Sequence, residues 1–174
     1  MNIIVTYFEP FGGRSFNASK ASALGVSLSS RKVGLPVSWN DISSRLDEVL
    51  SSHPDYLFLI GEAGKINEAR LELEAHNISK GKDNYQVEKL EEKIIPDGED
   101  TLYTSFSVSE KYVLSRDAGQ YLCNCSYYLA LSKAKDTKVI FIHVPAFNED
   151  DNEMKNKTIT LVNEMIVNLI ELNP

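Results

Sequence analysis

Cysteine is almost missing from this chain: Cys123 and Cys125 are the only two in 174 residues. Residues two apart on a helix point about 200° apart at 3.6 residues per turn, so a bridge between them is not expected. Without a disulfide framework, the expected compartment is the reducing cytoplasm, where a thiol is free to fill a core or act as a nucleophile. Two Cys without a neighbouring Cys or His pair also fall short of metal-ligand spacing, and no metal site is expected. Positive charge is scarce too, with 18 Lys and Arg against 25 Asp and Glu and a formal charge of -7. A nucleic-acid backbone would be repelled by that field, which argues against such a partner. No apolar run approaches the roughly 20 residues of a membrane span. Met1 leads directly into an apolar stretch without a basic leader, so neither a membrane segment nor a secretory signal is expected. Internal repeats, low-complexity tracts and linkers are absent as well. A hydrophobic content of 43% suffices for one core, and residues 1–174 are expected to form a single domain.

What is present is an alternation of strand and helix patterns. Short runs rich in branched and aromatic residues occur at Ile3 to Phe8, Tyr56 to Ile60 and Val139 to Val144, and read as buried strands. Between the first two, Ile42, Leu46, Val49 and Leu50 recur at helical spacing until His53-Pro54, giving a strand-helix-strand unit. Further helices are expected from Ala118 to Ala134 and from Met154 to Leu172, the latter with a stripe of Ile159, Val162, Ile166 and Leu169. From Arg70 to Asn77 the period becomes two, with Leu71, Leu73 and Ala75 on one face and Glu72, Glu74 and His76 on the other. One half-exposed strand is the expectation there. The polar stretch Ser79 to Glu110 reads as loops with short strands, turning at Pro96-Asp97-Gly98. Such alternation predicts an α/β fold in three layers, an α/β/α sandwich around a mixed, largely parallel sheet.

Two residues stand out chemically. Cys123 follows a small-residue turn, Asp117-Ala118-Gly119, that enters a helix. A thiol in the first turn lies at the positive end of the helix dipole, which would lower its pKa, and free backbone N–H groups there can stabilise an oxyanion. His143 closes the strongest strand, at the carboxyl edge where α/β sheets present catalytic groups. Each has an ordinary alternative: a Cys in a helix commonly packs in a core, and a loop His commonly bonds to backbone. Glu72 would complete an order of Glu, Cys and His in which the carboxylate orients the imidazole, although Glu72, Glu74 and His76 also fit a solvated strand face. Phe8-Glu9-Pro10-Phe11-Gly12-Gly13 leaves the first strand with two aromatics, which could line a flat apolar pocket or simply pack on the core; the spacing of a phosphate-binding loop is not there.

Four segments together resemble the pyroglutamyl-peptidase I family, also called pyrrolidone-carboxylate peptidases. They are Ile4 to Gly13 followed by Asn17; Gly61-Glu62-Ala63-Gly64 with Glu72 and Ala75-His76-Asn77; Asp117 to Asn124 with Tyr127; and Phe141 to Pro145. The resemblance implies a cofactor-free mechanism with Cys123 as nucleophile, His143 as base and Glu72 orienting the base. It also implies a pocket in which Phe8 and Phe11 flank the lactam ring of a pyroglutamyl peptide, with Asn17 and Glu62 nearby. The implied reaction is hydrolysis after an N-terminal pyroglutamyl residue through a thioester. The alternative is a weak relative that binds such N-terminal groups without turning them over.

Departures from the family pattern at Tyr7, Glu62 and a shortened region before Ser115 motivate that alternative. Tyr7 stands where glycine is usual, Glu62 where glutamine is frequent, and Lys65-Ile66 replace Gly-Arg. The stretch between Phe106 and Ser115 is short, lacking a helix expected before the nucleophile, in a region through which relatives associate; a homo-oligomer is therefore left open.

Overall fold

Three apolar strands form the centre of the sheet because their runs of branched residues can be buried on both faces only in a covered parallel arrangement. The computed structural model describes residues 1–174. Its elements are β1 (Ile3–Phe8), α1 (Ala18–Leu24), β2 (Arg31–Leu35), α2 (Ile42–Leu50), β3 (Tyr56–Ala63), β4 (Arg70–Glu72), β5 (Glu74–His76), β6 (Ser79–Lys82), β7 (Glu88–Glu92), β8 (Thr101–Tyr103), β9 (Val113–Ser115), α3 (Leu122–Lys133), β10 (Lys138–Pro145) and α4 (Asn152–Leu172). The main sheet runs β2-β1-β3-β10-β4-β9. Its first four strands are parallel, β4 is antiparallel to β10, and β9 is parallel to β4. The sheet is thus mixed and largely parallel, as expected.

Period-two alternation sorts the side chains into two cores. Val139 and Phe141 point to the side covered by α2 and α3, where Leu46 and Val49 of α2 and Leu129 of α3 meet them. Ile140, Ile142 and Val144 point to the side covered by α1 and α4, against Val162, Ile166 and Leu169. Asp151 caps α4 by accepting from Met154 N–H.

Several expectations need correction. The chain between β1 and β3 carries not one helix but α1, β2 and α2 in turn. β2 opens on the exposed Arg31 and half-buried Lys32 of an edge strand, which hides its alternation. The expected strand from Arg70 to Asn77 is two strands in different sheets: β4 pairs with β10 and β9, whereas β5 pairs with β8. Leu73 is the joint, its N–H donating to Ser115 and its carbonyl accepting from Thr104. Helix α3 begins at Leu122, later than Ala118. Residues Phe106 to Tyr112, by contrast, agree with the expected shortening: they form no helix and reach β9 directly.

Candidate active site

Neighbouring carboxyl ends of the strands bring the sequence-selected residues to one place. His143 of β10 and Gly61 of β3 are register partners on the α3 side of the sheet. Parallel strands lie about 4.8 Å apart, so a side chain above Gly61 is within reach of the imidazole. Above Gly61 is the thiol. A Cβ on this glycine would stand 2.8 Å from Cys123 Sγ and 2.5 Å from the Phe141 ring. The lack of a side chain at residue 61 is what lets the sulfur settle against the sheet beside His143.

Glu72 reaches the same histidine from the other side. Its partner in β10 is Phe141, one step along the same face. The side chain is 0% exposed, and Oε1 lies 2.7 Å from His143 Nδ1. A carboxylate can only accept, so Nδ1 carries the proton and Nε2 is left as the basic nitrogen. Oε1 also accepts from Arg70 Nε at 2.8 Å, while Oε2 is buried without a partner. The solvated strand face is thus ruled out for Glu72. His76, by contrast, bonds Thr101 and the Arg116 carbonyl on the small β5 strand.

Cys123 occupies the first turn of α3, whose N-terminus has no side-chain cap. The N–H groups of Leu122, Cys123 and Asn124 have no carbonyl partner, as first-turn amides ordinarily lack one, and they remain available to an oxyanion. The expected lowering of the thiol is not found. Burial pushes it up to about 12, and the negative charges of Glu72 and Glu62 act in the same direction. The resting sulfur is therefore a neutral thiol that must give its proton to a base when it reacts. Cys125 is likewise pushed up to about 12 by burial, and it packs in the core.

The thiol and the imidazole open onto a cavity of about 170 Å³. Roughly 150 Å³ accommodates a benzene-sized ring, so one small ring fits. Its walls include Phe8, Phe11, Val37 and Tyr121, with Asn17 and Glu62 at the edge. Tyr121 is held edge-on to Trp39, with centroids 5.4 Å apart, and its hydroxyl donates to the Lys82 carbonyl. Val37 and Tyr121 were not singled out from sequence: Val37 follows a strand that was itself overlooked.

The whole chain can now be set beside known proteins. Residues 1–173 match the family model described as pyroglutamyl peptidase. The chain belongs to this family. A pyrrolidone-carboxylate peptidase of Thermosipho melanesiensis is 30% identical, with 90% of this chain and 88% of that protein covered. The human pyroglutamyl-peptidase 1 is 25% identical over 97% of this chain and 91% of its own length. The crystal structure of a pyrrolidone carboxyl peptidase from Thermus thermophilus superposes with a TM-score of 0.84 at 25% identity, covering 98% of this chain and 99% of that one.

Against the family pattern, the individual departures acquire a structural meaning. Tyr7 does not enter the cavity. It lies on the opposite sheet face from Phe8, over Gly34 of β2 and beneath Lys20 of α1. Glu62, 3% exposed in its side chain, is fully engaged: Oε1 pairs with Arg14 at 2.7 Å and Oε2 accepts from Ala18 N–H at 2.7 Å. Arg14 in turn stands 4.6 Å over the Phe11 ring, so this pair braces the outer wall of the cavity. The polar groups of Asn17 are also occupied. Its Oδ1 caps α1 through Ser19 N–H and its Nδ2 donates to the Glu9 carbonyl, so it shapes the loop between Phe8 and α1. No group of three or more His, Cys, Asp or Glu side chains is arranged to hold a metal.

Proposed function

We propose that this protein is a cysteine-type omega peptidase that hydrolyses the bond after an N-terminal pyroglutamyl residue. The observation that carries the reading is the buried Glu72–His143 contact at 2.7 Å, set beside Cys123 at the wall of a ring-sized apolar cavity. A pyroglutamyl ring has no free α-amine, so flat apolar walls suit it better than a charged pocket would. Phe8 and Phe11 are the walls proposed to flank it, and Glu62 and Asn17 shape its edge.

The reaction follows from the protonation states. Nε2 of His143 takes the Cys123 proton as sulfur attacks the carbonyl that joins the lactam to the next residue. The oxyanion forms at the start of α3, where the Cys123 and Asn124 N–H groups are free to donate. Buried Glu72 balances the imidazolium, which then gives its proton to the departing amine as the C–N bond breaks. Water, deprotonated by the same nitrogen, splits the thioester to release pyroglutamic acid and restore the thiol. A neutral resting thiol makes the base indispensable, since unaided ionisation at pH 7 would be rare for a group pushed to about 12. Two unbridged cysteines fit action in the reducing cytoplasm.

The test is turnover of a pyroglutamyl fluorogenic amide, with prolyl and glutamyl amides as controls. Only the lactam compound is expected to be cleaved. Tight binding of a pyroglutamyl peptide without cleavage would turn the reading towards a binding protein, although Tyr7, one motive for that alternative, lies outside the cavity.

A further inference from the structure

Arg70 opens β4 directly opposite His143, its register partner in β10. From there its guanidinium makes two contacts of different kinds. Nε donates to Glu72 Oε1 at 2.8 Å, the same oxygen that faces His143 Nδ1. Nη2 donates to the Asp117 carbonyl at 3.2 Å, in the turn that delivers Cys123 to the start of α3. Arg70 is the one permanent cation in ion-pair contact with Glu72, whose second oxygen is buried and takes no hydrogen bond. The other titratable groups facing the pair are Cys123, Glu62 near the thiol, and Tyr127, which donates to the Glu72 carbonyl; Glu74, at the start of β5, pairs outward with Arg116.

We infer that Arg70 is a positioning residue that sets both the aim and the effective charge of Glu72, and ties that carboxylate to the segment carrying the nucleophile. The inference rests on the peptidase reading above. Two physical effects are combined. The planar fork holds two acceptors in fixed directions, which a Lys ammonium on a flexible stem cannot reproduce. Its charge, placed on the oxygen that supports the imidazole, offsets part of the carboxylate's field and disfavours the imidazolium.

The experiment compares wild type, R70Q and R70K by kcat and KM for a pyroglutamyl coumarylamide and by the pH dependence of activity. It adds the pH dependence of Cys123 alkylation by iodoacetamide, followed by mass. R70Q is expected to lose about tenfold or more in kcat with KM little changed, and its acid limb should move up by about one pH unit. The alkylation profile should shift alike. R70K should keep the wild-type limb while recovering only part of kcat. R70Q with wild-type kcat, limb and alkylation profile would overturn the assignment. If R70Q does not fold, R70K decides: reduced kcat with an unmoved limb supports it, and full kcat refutes it. Should wild type cleave no pyroglutamyl amide, the peptidase reading fails, while the alkylation profiles still judge Arg70.

Discussion

The two faces of the central sheet are built from the same strands and treat polarity in opposite ways. Beneath α1 and α4, Ile140, Ile142 and Val144 of β10 share a core with Val162, Met165, Ile166 and Leu169 of α4. Beneath α3, the alternate positions of the same strand run Val139, Phe141 and then His143, and the neighbouring strands contribute Glu72 and the gap at Gly61. The first face holds the chain folded. The second accepts a buried carboxylate and imidazole, groups that cost stability unless paired, at the one end of the sheet where a thiol and a cavity meet them. The lesson is that the period-two pattern fixes which face a residue joins, and a single break in its apolar half marks the site.

Substitutions on each face should separate these roles. The largest effect is expected from C123A, which removes the proposed nucleophile and should lower turnover by about a thousandfold or more with the fold retained by circular dichroism. Replacing Gly61 by Ala should come next. Its Cβ would press on Cys123 Sγ and the Phe141 ring, so kcat/KM should fall by about tenfold to a hundredfold, while stability falls by about 1–3 kcal/mol, measured by urea unfolding. On the other face, L169A should cost about 2–5 kcal/mol by cavity formation and leave kcat/KM within about twofold, because Leu169 of α4 is fully buried in the core on the side of the sheet away from the site. An equal loss of activity in L169A would break the division between faces.

The smallest effect is alkaline. Both thiols are raised from 9.0 to about 12, so the folded state holds their protons more tightly than the unfolded chain. Their contribution is present in full below about pH 9 and is lost as pH rises towards 12, so urea midpoints should fall across that window. Changing Cys125 to Ala should flatten the fall without abolishing activity.

Much of this was legible in the sequence. β1, β3 and β10 announced themselves as continuous apolar runs, and α2 and α4 by apolar residues recurring at helical spacing. α1 was missed, since Ala and Ser make no contrast along its seven residues. Glu72 and His143 were legible as candidates, but their contact depends on an antiparallel pairing across 71 residues that no local pattern encodes. The change of sheet at Leu73 was hidden because β4 and β5 share an alternation while pairing with different strands. Gly61 was visible only as part of a motif; its role as the seat of the sulfur appears only once α3 lies over β3.

The central claim is that Cys123 carries the pyroglutamyl group during turnover. Quenching the enzyme in acid during turnover of a pyroglutamyl substrate, then digesting it and mapping the acyl group by mass spectrometry, tests this most directly. The account predicts a thioester on Cys123 in wild type, lost in H143A because the neutral thiol cannot attack without its base, and absent in C123A. An acyl group on any other residue, or turnover by C123A at the wild-type rate, would contradict it.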